Sequence, residues 1–304
     1  MSAPLIALQE NIGAELTDAV TSGGGTVVPL DDADALVWKT GPQDFPTLPA
    51  NVRWVQLGSA GVEQWGDEIA KHPDVTFTSA AGAYSDIIAE HALMMLLAGV
   101  RTLPAHLAAT SWQNAELADG VGTLRGSTVT IVGAGGIGRS LISMLAPLGV
   151  TSIAVNRSGR DVPGATRTVT ADELDEVWDD TDHVVIAAPA TAETAHIVGA
   201  DRLHRLKAHS WVVNIARGSL VDTDALVEAL RTGTIAGAGL DVTDPEPLPD
   251  GHPLWTMRSA MITPHDSNPT GPRTAALARH VEANVARFAA GEPLAAVVDR
   301  DAGY

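Results

Sequence analysis

An arginine, two carboxylates and a histidine stand just past hydrophobic runs in the second half of this 304-residue chain: Arg217, Asp241, Glu246 and His265. Arg217 follows Trp211-Val212-Val213-Asn214-Ile215, Asp241 follows Ala236 to Leu240, and His265 follows Ala260-Met261-Ile262-Thr263-Pro264. In an open α/β sheet, ligands bind outside the carboxyl ends of the strands, which is where these side chains fall. Alone, such an arginine is usually surface charge and such a histidine usually structural. Together they fit one reaction. A guanidinium fork holds the carboxylate of a 2-oxo acid and polarises its ketone oxygen. A histidine delivers the proton that the alkoxide needs once hydride has reached the carbon. A carboxylate beside that histidine favours the imidazolium required in the reductive direction. Contact between Glu246 and His265 is expected from the fold, not from their spacing.

The hydride source is written further upstream. Ser127 to Ser140 reads as a strand (Val129, Ile131, Val132), a glycine turn and a helix start (Ile137, Leu141, Ile142, Leu145). Gly133, Gly135 and Gly138 have G-x-G-x-x-G spacing, with Gly136 and Ile137 between them. Gly133 makes the tight turn, Gly135 lets backbone approach a pyrophosphate, and Gly138 lets helix and strand sit close. The helix N-terminus then faces the anion. The next strand, Ser152 to Val155, ends at Asn156-Arg157-Ser158, with no carboxylate before Asp161. A ribose 2′-hydroxyl is usually held by an acidic residue about 20 positions past the fingerprint. Arg157 can instead pair with a 2′-phosphate, and Asn156 and Ser158 can donate to it. The expected cofactor is therefore NADP(H), with NAD(H) possible. No His pair or carboxylate motif has metal-ligand spacing, so no metal is expected.

These residues need a βαβ frame, and the sequence supplies one. Strands are expected at Val184–Ala187, Trp211–Ile215, Ala236–Leu240 and Ala260–Thr263, with helices at Asp201–Lys207 and Asp224–Arg231, the latter closed by Gly233. Pro189 to Thr194 is the loop ending the first of these strands. Before the fingerprint, short strands at 4–8, 26–28, 35–38, 53–57 and 75–78 suggest a separate small α/β domain. Its loop Gly58-Ser59-Ala60-Gly61 can form a backbone anion nest or be an ordinary strand–helix turn. Tyr84 to Leu103 is expected to be one long helix bridging the two domains. The less regular segment from Pro104 to Gly126 has room to be a partner-embracing arm.

Composition sets the outer bounds. The formal charge is −18, which argues against nucleic acid or an anionic membrane as partner. Hydrophobic residues make up 45%, enough for a large core, and there is no cysteine for disulfides or thiol chemistry. No signal peptide is visible and the run Ala92–Val100 is too short to span a bilayer, so a cytoplasmic protein is expected.

The chain resembles the D-isomer-specific 2-hydroxyacid dehydrogenase family. The matches are Gly58-Ser59-Ala60-Gly61-Val62, Ala89-Glu90-His91-Ala92, Gly133-Ala134-Gly135-Gly136-Ile137-Gly138, Pro189 to Thr194, and Asn214-Ile215-Ala216-Arg217-Gly218. Leu240-Asp241-Val242, Glu246-Pro247-Leu248-Pro249 and Thr263-Pro264-His265 complete them. The resemblance implies that Arg217, Glu246 and His265 are the catalytic trio. It implies that Ser59, Ala60 and Gly61 bind the substrate carboxylate, alongside Arg217 and His265. Lys39 can be a further contact to a substrate carboxylate or phosphate, or a surface lysine. Pro189, Thr194, Ala216 and Asp241 join the fingerprint as cofactor contacts. The implied fold is two Rossmann/flavodoxin-like α/β domains with the active-site cleft between them. Residues 1–98 and 270–304 would form a discontinuous substrate domain and 99–269 the dinucleotide-binding domain. Family members are usually homodimers. The short chain, Trp38-Lys39 and Asn156-Arg157-Ser158 resemble the NADPH-dependent glyoxylate/hydroxypyruvate reductase branch. Implied alternatives are a 3-phosphoglycerate dehydrogenase-like enzyme and a non-catalytic NAD(P)(H)-sensing regulator. One departure stands out: Asp266-Ser267-Asn268 follows His265, where the family has a small or apolar residue. Asp266 either adds negative charge near the imidazole or faces solvent, and Trp112 and Trp255 are both candidates to shape the pocket.

Overall fold

The computed structural model describes residues 3–300. The chain divides into two compact units: residues up to Tyr84 together with those from Pro269 onward, and Ser85–Asn268. The first unit begins with β1 (Leu5–Leu8), α1 (Ala14–Ser22), β2 (Thr26–Val27), β3 (Ala35–Trp38), β4 (Trp54–Leu57), α2 (Gly66–Ala70) and β5 (Thr76–Thr78). These strands form a parallel sheet in the order β2-β1-β3-β4-β5, the flavodoxin-like arrangement.

The second unit contains α3 (Ser85–Val100), α4 (Leu103–Leu107), α5 (Asn114–Leu117), β6 (Thr128–Val132), α6 (Gly136–Leu145), β7 (Thr151–Asn156), β8 (Arg167–Thr170) and α7 (Leu174–Val177). It continues with β9 (His183–Ile186), α8 (Ala200–Arg205), β10 (Trp211–Asn214), α9 (Thr223–Thr232), β11 (Gly237–Leu240) and β12 (Ala260–Ile262). Its seven parallel strands run β12-β11-β10-β9-β6-β7-β8, a Rossmann order with one strand added. The order reverses between β6 and β9, which makes the carboxyl ends of those two strands the topological switch point. The first unit then receives its last helix, α10 (Thr270–Ala290), which packs on α1.

Both faces of the seven-stranded sheet are covered. Val184 and Ile186 of β9 enter one apolar cluster and Val185 the other, as alternate residues of a strand must. Trp211 of β10 is wedged between two glycines. A Cβ on Gly99 would come within 2.4 Å of its indole, and one on Gly237 within 2.3 Å. Helix α3 goes wholly with this second unit, because Ala89, Ala92, Met95 and Leu96 are buried against α6 and β10. The boundary thus falls before α3, at Tyr84/Ser85, rather than near its end at 98/99 as the sequence suggested. The long helix itself stops at Val100, where Thr102 adopts a left-handed φ of 51° and Pro104 opens α4. Strand β8 went unread because only its Val169 is buried, which leaves no periodic signal.

An apolar run stays exposed on α3, α4 and the segment after them: Met94, Leu97, Leu103, Leu107 and Trp112. Among the described residues, no helix is long and apolar enough to cross a membrane.

Candidate active site

The glycine turn divides its tasks as the spacing requires. Gly133 ends β6 at φ +97°, and a Cβ there would lie 2.3 Å from the Ala188 nitrogen at the end of β9. A Cβ on Gly138 would lie 2.7 Å from the Gly133 carbonyl oxygen. Those two positions are closed by protein. Gly135, the N-cap of α6, differs: nothing lies within 4 Å of its Cβ position, and Gly136 beside it is exposed. Open space over the unpaired first-turn amides of a ten-residue helix suits a pyrophosphate. The residues present therefore fit a dinucleotide. The half-buried Ile137 follows on the first turn of α6, and the exposed Pro189 lies past the end of β9. The Thr194 hydroxyl donates to the Pro189 carbonyl at 2.8 Å and accepts from the Thr191 amide at 2.8 Å, fixing the 189–194 loop.

At the end of β7, Asn156 and Ser158 shape their own turn. Asn156 Nδ2 donates to the Arg160 carbonyl at 2.8 Å, and its Oδ1 accepts from the Ser158 amide at 3.0 Å and hydroxyl at 3.2 Å. Arg157 lies exposed on this turn, and so does Arg160, a second cation that the sequence reading passed over.

The structure joins Glu246 and His265. His265 Nδ1 lies 2.6 Å from Glu246 Oε1. A carboxylate only accepts, so Nδ1 carries the proton in this bond, and Nε2 has no protein partner among the described residues. Both residues line a pocket of about 330 Å³ with Leu248, Trp255, Ile262 and Thr263. Trp255 thus borders the pocket, while Trp112 is 93% exposed.

His265 is held from below by Asp241. Its amide donates to the Asp241 carbonyl at 2.8 Å, and its own backbone sits at a left-handed φ of 54°. The Asp241 carboxylate is fully buried. It accepts from the Thr263 hydroxyl at 2.7 Å, the Asp266 amide at 3.0 Å and the Ser267 amide at 3.2 Å. Asp241, expected as a cofactor contact, thus also anchors the loop that carries His265. Asp266 itself is exposed. Arg217 ends the neighbouring strand β10 and donates from Nη1 to the Ala216 carbonyl at 2.8 Å. Its backbone is fixed by Asn214, whose Nδ2 donates to the Arg217 carbonyl at 2.8 Å while Oδ1 accepts from the Ala216 amide at 3.1 Å. Asn214 and Thr263 were visible only as motif letters; Asn214 bonds within its own turn, whereas the partners of Thr263 lie on α3 and after β11.

In the first unit, the loop with Ser59, Ala60 and Gly61 is pinned where it begins. The Tyr84 hydroxyl donates to the Gly58 carbonyl at 2.6 Å, and the Ala80 amide to the Ser59 carbonyl at 2.8 Å. Burial pushes the Tyr84 phenol up to about 12, so it stays a donor at neutral pH. Lys39 abuts this loop: a Cβ on Gly58 would lie 2.8 Å from the Lys39 Cα. Gln9 Oε1 clamps the turn by accepting from the Lys39 amide at 2.8 Å and the Thr40 amide at 3.2 Å.

A Rossmann-ordered unit with a glycine turn at its switch point and a carboxylate–imidazole pair at a strand end defines an NAD(P)-dependent oxidoreductase. The family model for the "D-isomer specific 2-hydroxyacid dehydrogenase, NAD binding domain" matches residues 91–267, more than half the chain. The chain belongs to that family and is an NAD(P)-dependent D-2-hydroxyacid dehydrogenase. It is 43% identical to a Corynebacterium melassecola protein named for the proB 3′ region, over 95% of this chain and 97% of that one. It is 33% identical to human glyoxylate reductase/hydroxypyruvate reductase, over 73% of this chain and 69% of the relative. A solved structure of the NADPH-dependent glyoxylate/hydroxypyruvate reductase from Sinorhizobium meliloti, in complex with NADP and sulfate, superimposes with a TM-score of 0.77. It is 28% identical and covers 99% of this chain and 100% of that one.

Proposed function

We propose that this enzyme reduces a small 2-oxo acid of the glyoxylate/hydroxypyruvate kind to its D-2-hydroxy acid, with NADPH preferred over NADH. The observation that carries the reading is the 2.6 Å bond between Glu246 and His265 beside a pocket. The Sinorhizobium meliloti and human relatives support the substrate class by their names. Gly133, Gly135, Gly136, Ile137 and Gly138 would hold the pyrophosphate, with Pro189, Thr194 and Ala216 along the strand ends. Arg157 would pair with the 2′-phosphate, and Arg160 on the same turn adds positive potential. A nicotinamide bound there supplies the hydride that forms the new C–H bond. Arg217 grips the substrate carboxylate and polarises the ketone. As the carbonyl π pair moves onto oxygen, His265 releases its Nε2 proton to that oxygen and becomes neutral imidazole. Glu246 keeps the ring oriented through Nδ1 and balances its charge before transfer; solvent then returns the proton to Nε2. The amides of Ser59, Ala60 and Gly61 take part in holding the carboxylate. Initial rates with glyoxylate and with hydroxypyruvate, using NADPH and NADH in parallel, test the reading. Faster turnover with NADPH supports it. Faster turnover with NADH overturns the 2′-phosphate assignment, and silence with every combination overturns the substrate class.

One observation favours a second substrate class. Lys39 makes no ion pair or hydrogen bond through its ammonium among the described residues, beside a loop suited to anions. A 2-oxo acid with a second anionic group, such as a phosphate, would meet that charge. The exposed run Met94, Leu97, Leu103, Leu107 and Trp112 supports a homodimer as part of the same proposal, with the mass in solution as its check.

A further inference from the structure

His91 matches a family motif, yet the reaction above gives it no task. It stands on α3, with its side chain 15% exposed, and its Nε2 lies 3.0 Å from the Thr263 hydroxyl oxygen. That hydroxyl donates its single proton to Asp241 Oδ1 at 2.7 Å. It must therefore accept from His91, so His91 carries a proton on Nε2. Asp241 in turn holds the Asp266 and Ser267 amides through its carboxylate and the His265 amide through its carbonyl. His91 Nε2 is itself 3.7 Å from Asp241 Oδ1. The chain of bonds thus runs from α3, through the residue after β12 and the residue after β11, to both flanks of His265.

The three residues His91, Asp241 and Asp266 also bring potential ligand atoms within 4.8 Å of one another. A cation there would have to displace donors, because both Asp241 oxygens already accept hydrogen bonds. The arrangement is a relay of hydrogen bonds.

We propose that His91 is a positioning residue for the proton donor. By donating to Thr263, it commits the Thr263 hydroxyl to Asp241 and so fixes the 263–267 loop, which holds His265 in its left-handed conformation against Glu246. Without that donor the hydroxyl is free to rotate and the Asp241 anchor loses one of its three bonds. A loop that wanders by a fraction of an ångström misaligns Nε2 at the moment of proton transfer, while leaving the pyrophosphate turn on β6 untouched.

This inference rests on His265 being the proton donor, so the test has one readout that does not need turnover. In the protein without cofactor, the His265 Nδ1 proton held by Glu246 gives a downfield NMR signal, assigned by its loss in His265→Gln. His91→Phe is expected to broaden or shift that signal and to lower kcat about tenfold. KM and the NADPH Kd should change less than twofold. His91→Gln, whose terminal amide keeps a donor near the Nε2 position, is expected to recover most of both. Thr263→Val should match His91→Phe, and the double variant should be no worse than either single one, since both break the same chain. Parent-like signal and kcat in His91→Phe would overturn the inference, as would additive losses in the double variant or no recovery with glutamine. If the parent reduces no 2-oxo acid, the functional reading fails, and the NMR signal still decides the positioning.

Discussion

Of the three lysines, Lys71 pairs with Glu68 at 2.7 Å and Lys207 with Asp182 at 2.7 Å, whereas Lys39 has no such partner among the described residues. In a chain of formal charge −18, such a cation beside a backbone loop is a feature to be used. Lys39→Met is expected to raise KM about tenfold for a 2-oxo acid bearing a second anion and less than twofold for glyoxylate, an interaction of about 1–2 kcal/mol. Equal effects on the two substrates would contradict a specificity role. Residue type alone did not reveal what Asp241 does. A carboxylate at a strand end reads as a ligand contact, and only the fold shows that it also holds Thr263, Asp266 and Ser267. The Glu246–His265 bond was an expectation that needed the fold in the same way, since no spacing rule joins residues on two loops.

At the scale of elements, the glycine turn was legible because its requirements are local. A positive φ at Gly133 and close approach at Gly138 restrict the residue type whatever surrounds them. The same geometry separates folding from binding. Gly138→Val would drive side-chain atoms into the Gly133 carbonyl, and thermal melting should show a loss of about 2–4 kcal/mol. Gly135→Val meets no protein atom, so its melting temperature should stay within about 2 °C of the parent. Its NADPH Kd, read by fluorescence, should nonetheless rise at least about tenfold, because the side chain fills the space left for pyrophosphate. A parent-like Kd in Gly135→Val would contradict the cradle. The elements that were not legible had tertiary causes. Helix α3 joins the second unit through the faces it buries, and β8 is an edge strand with a single buried side chain.

The whole molecule also carries a pH dependence that lies away from the chemistry. His183 at the start of β9 is 3% exposed, and burial pushes its imidazole down to about 4, against the opposing pull of Asp182. Its Nδ1 accepts from the Trp211 amide at 3.2 Å, which requires that nitrogen to be unprotonated. The unfolded chain binds the proton near pH 6.5 and the folded chain near 4, so the unfolded state gains protons first as pH falls. Stability from this site is complete above about pH 6.5 and declines down to about pH 4, by an amount on the order of 3 kcal/mol. Urea midpoints at pH 7 and pH 4.5 check this. The parent should lose more stability between those pH values than His183→Gln, in which the remaining carboxylates and histidines titrate alike. Equal losses would contradict it. The strands of both sheets, β8 apart, were legible because parallel strands buried on both faces read as continuous apolar runs, whereas their order came only with the fold.

In the proposed reduction of a 2-oxo acid, His265, oriented by Glu246, gives the proton. The most direct measurement is the rate of NADPH oxidation with glyoxylate and hydroxypyruvate in His265→Asn beside the parent, with NADPH binding measured on both. His265→Asn should lose at least about 100-fold in kcat, with the NADPH Kd within about twofold of the parent. Turnover in His265→Asn within about threefold of the parent would contradict it.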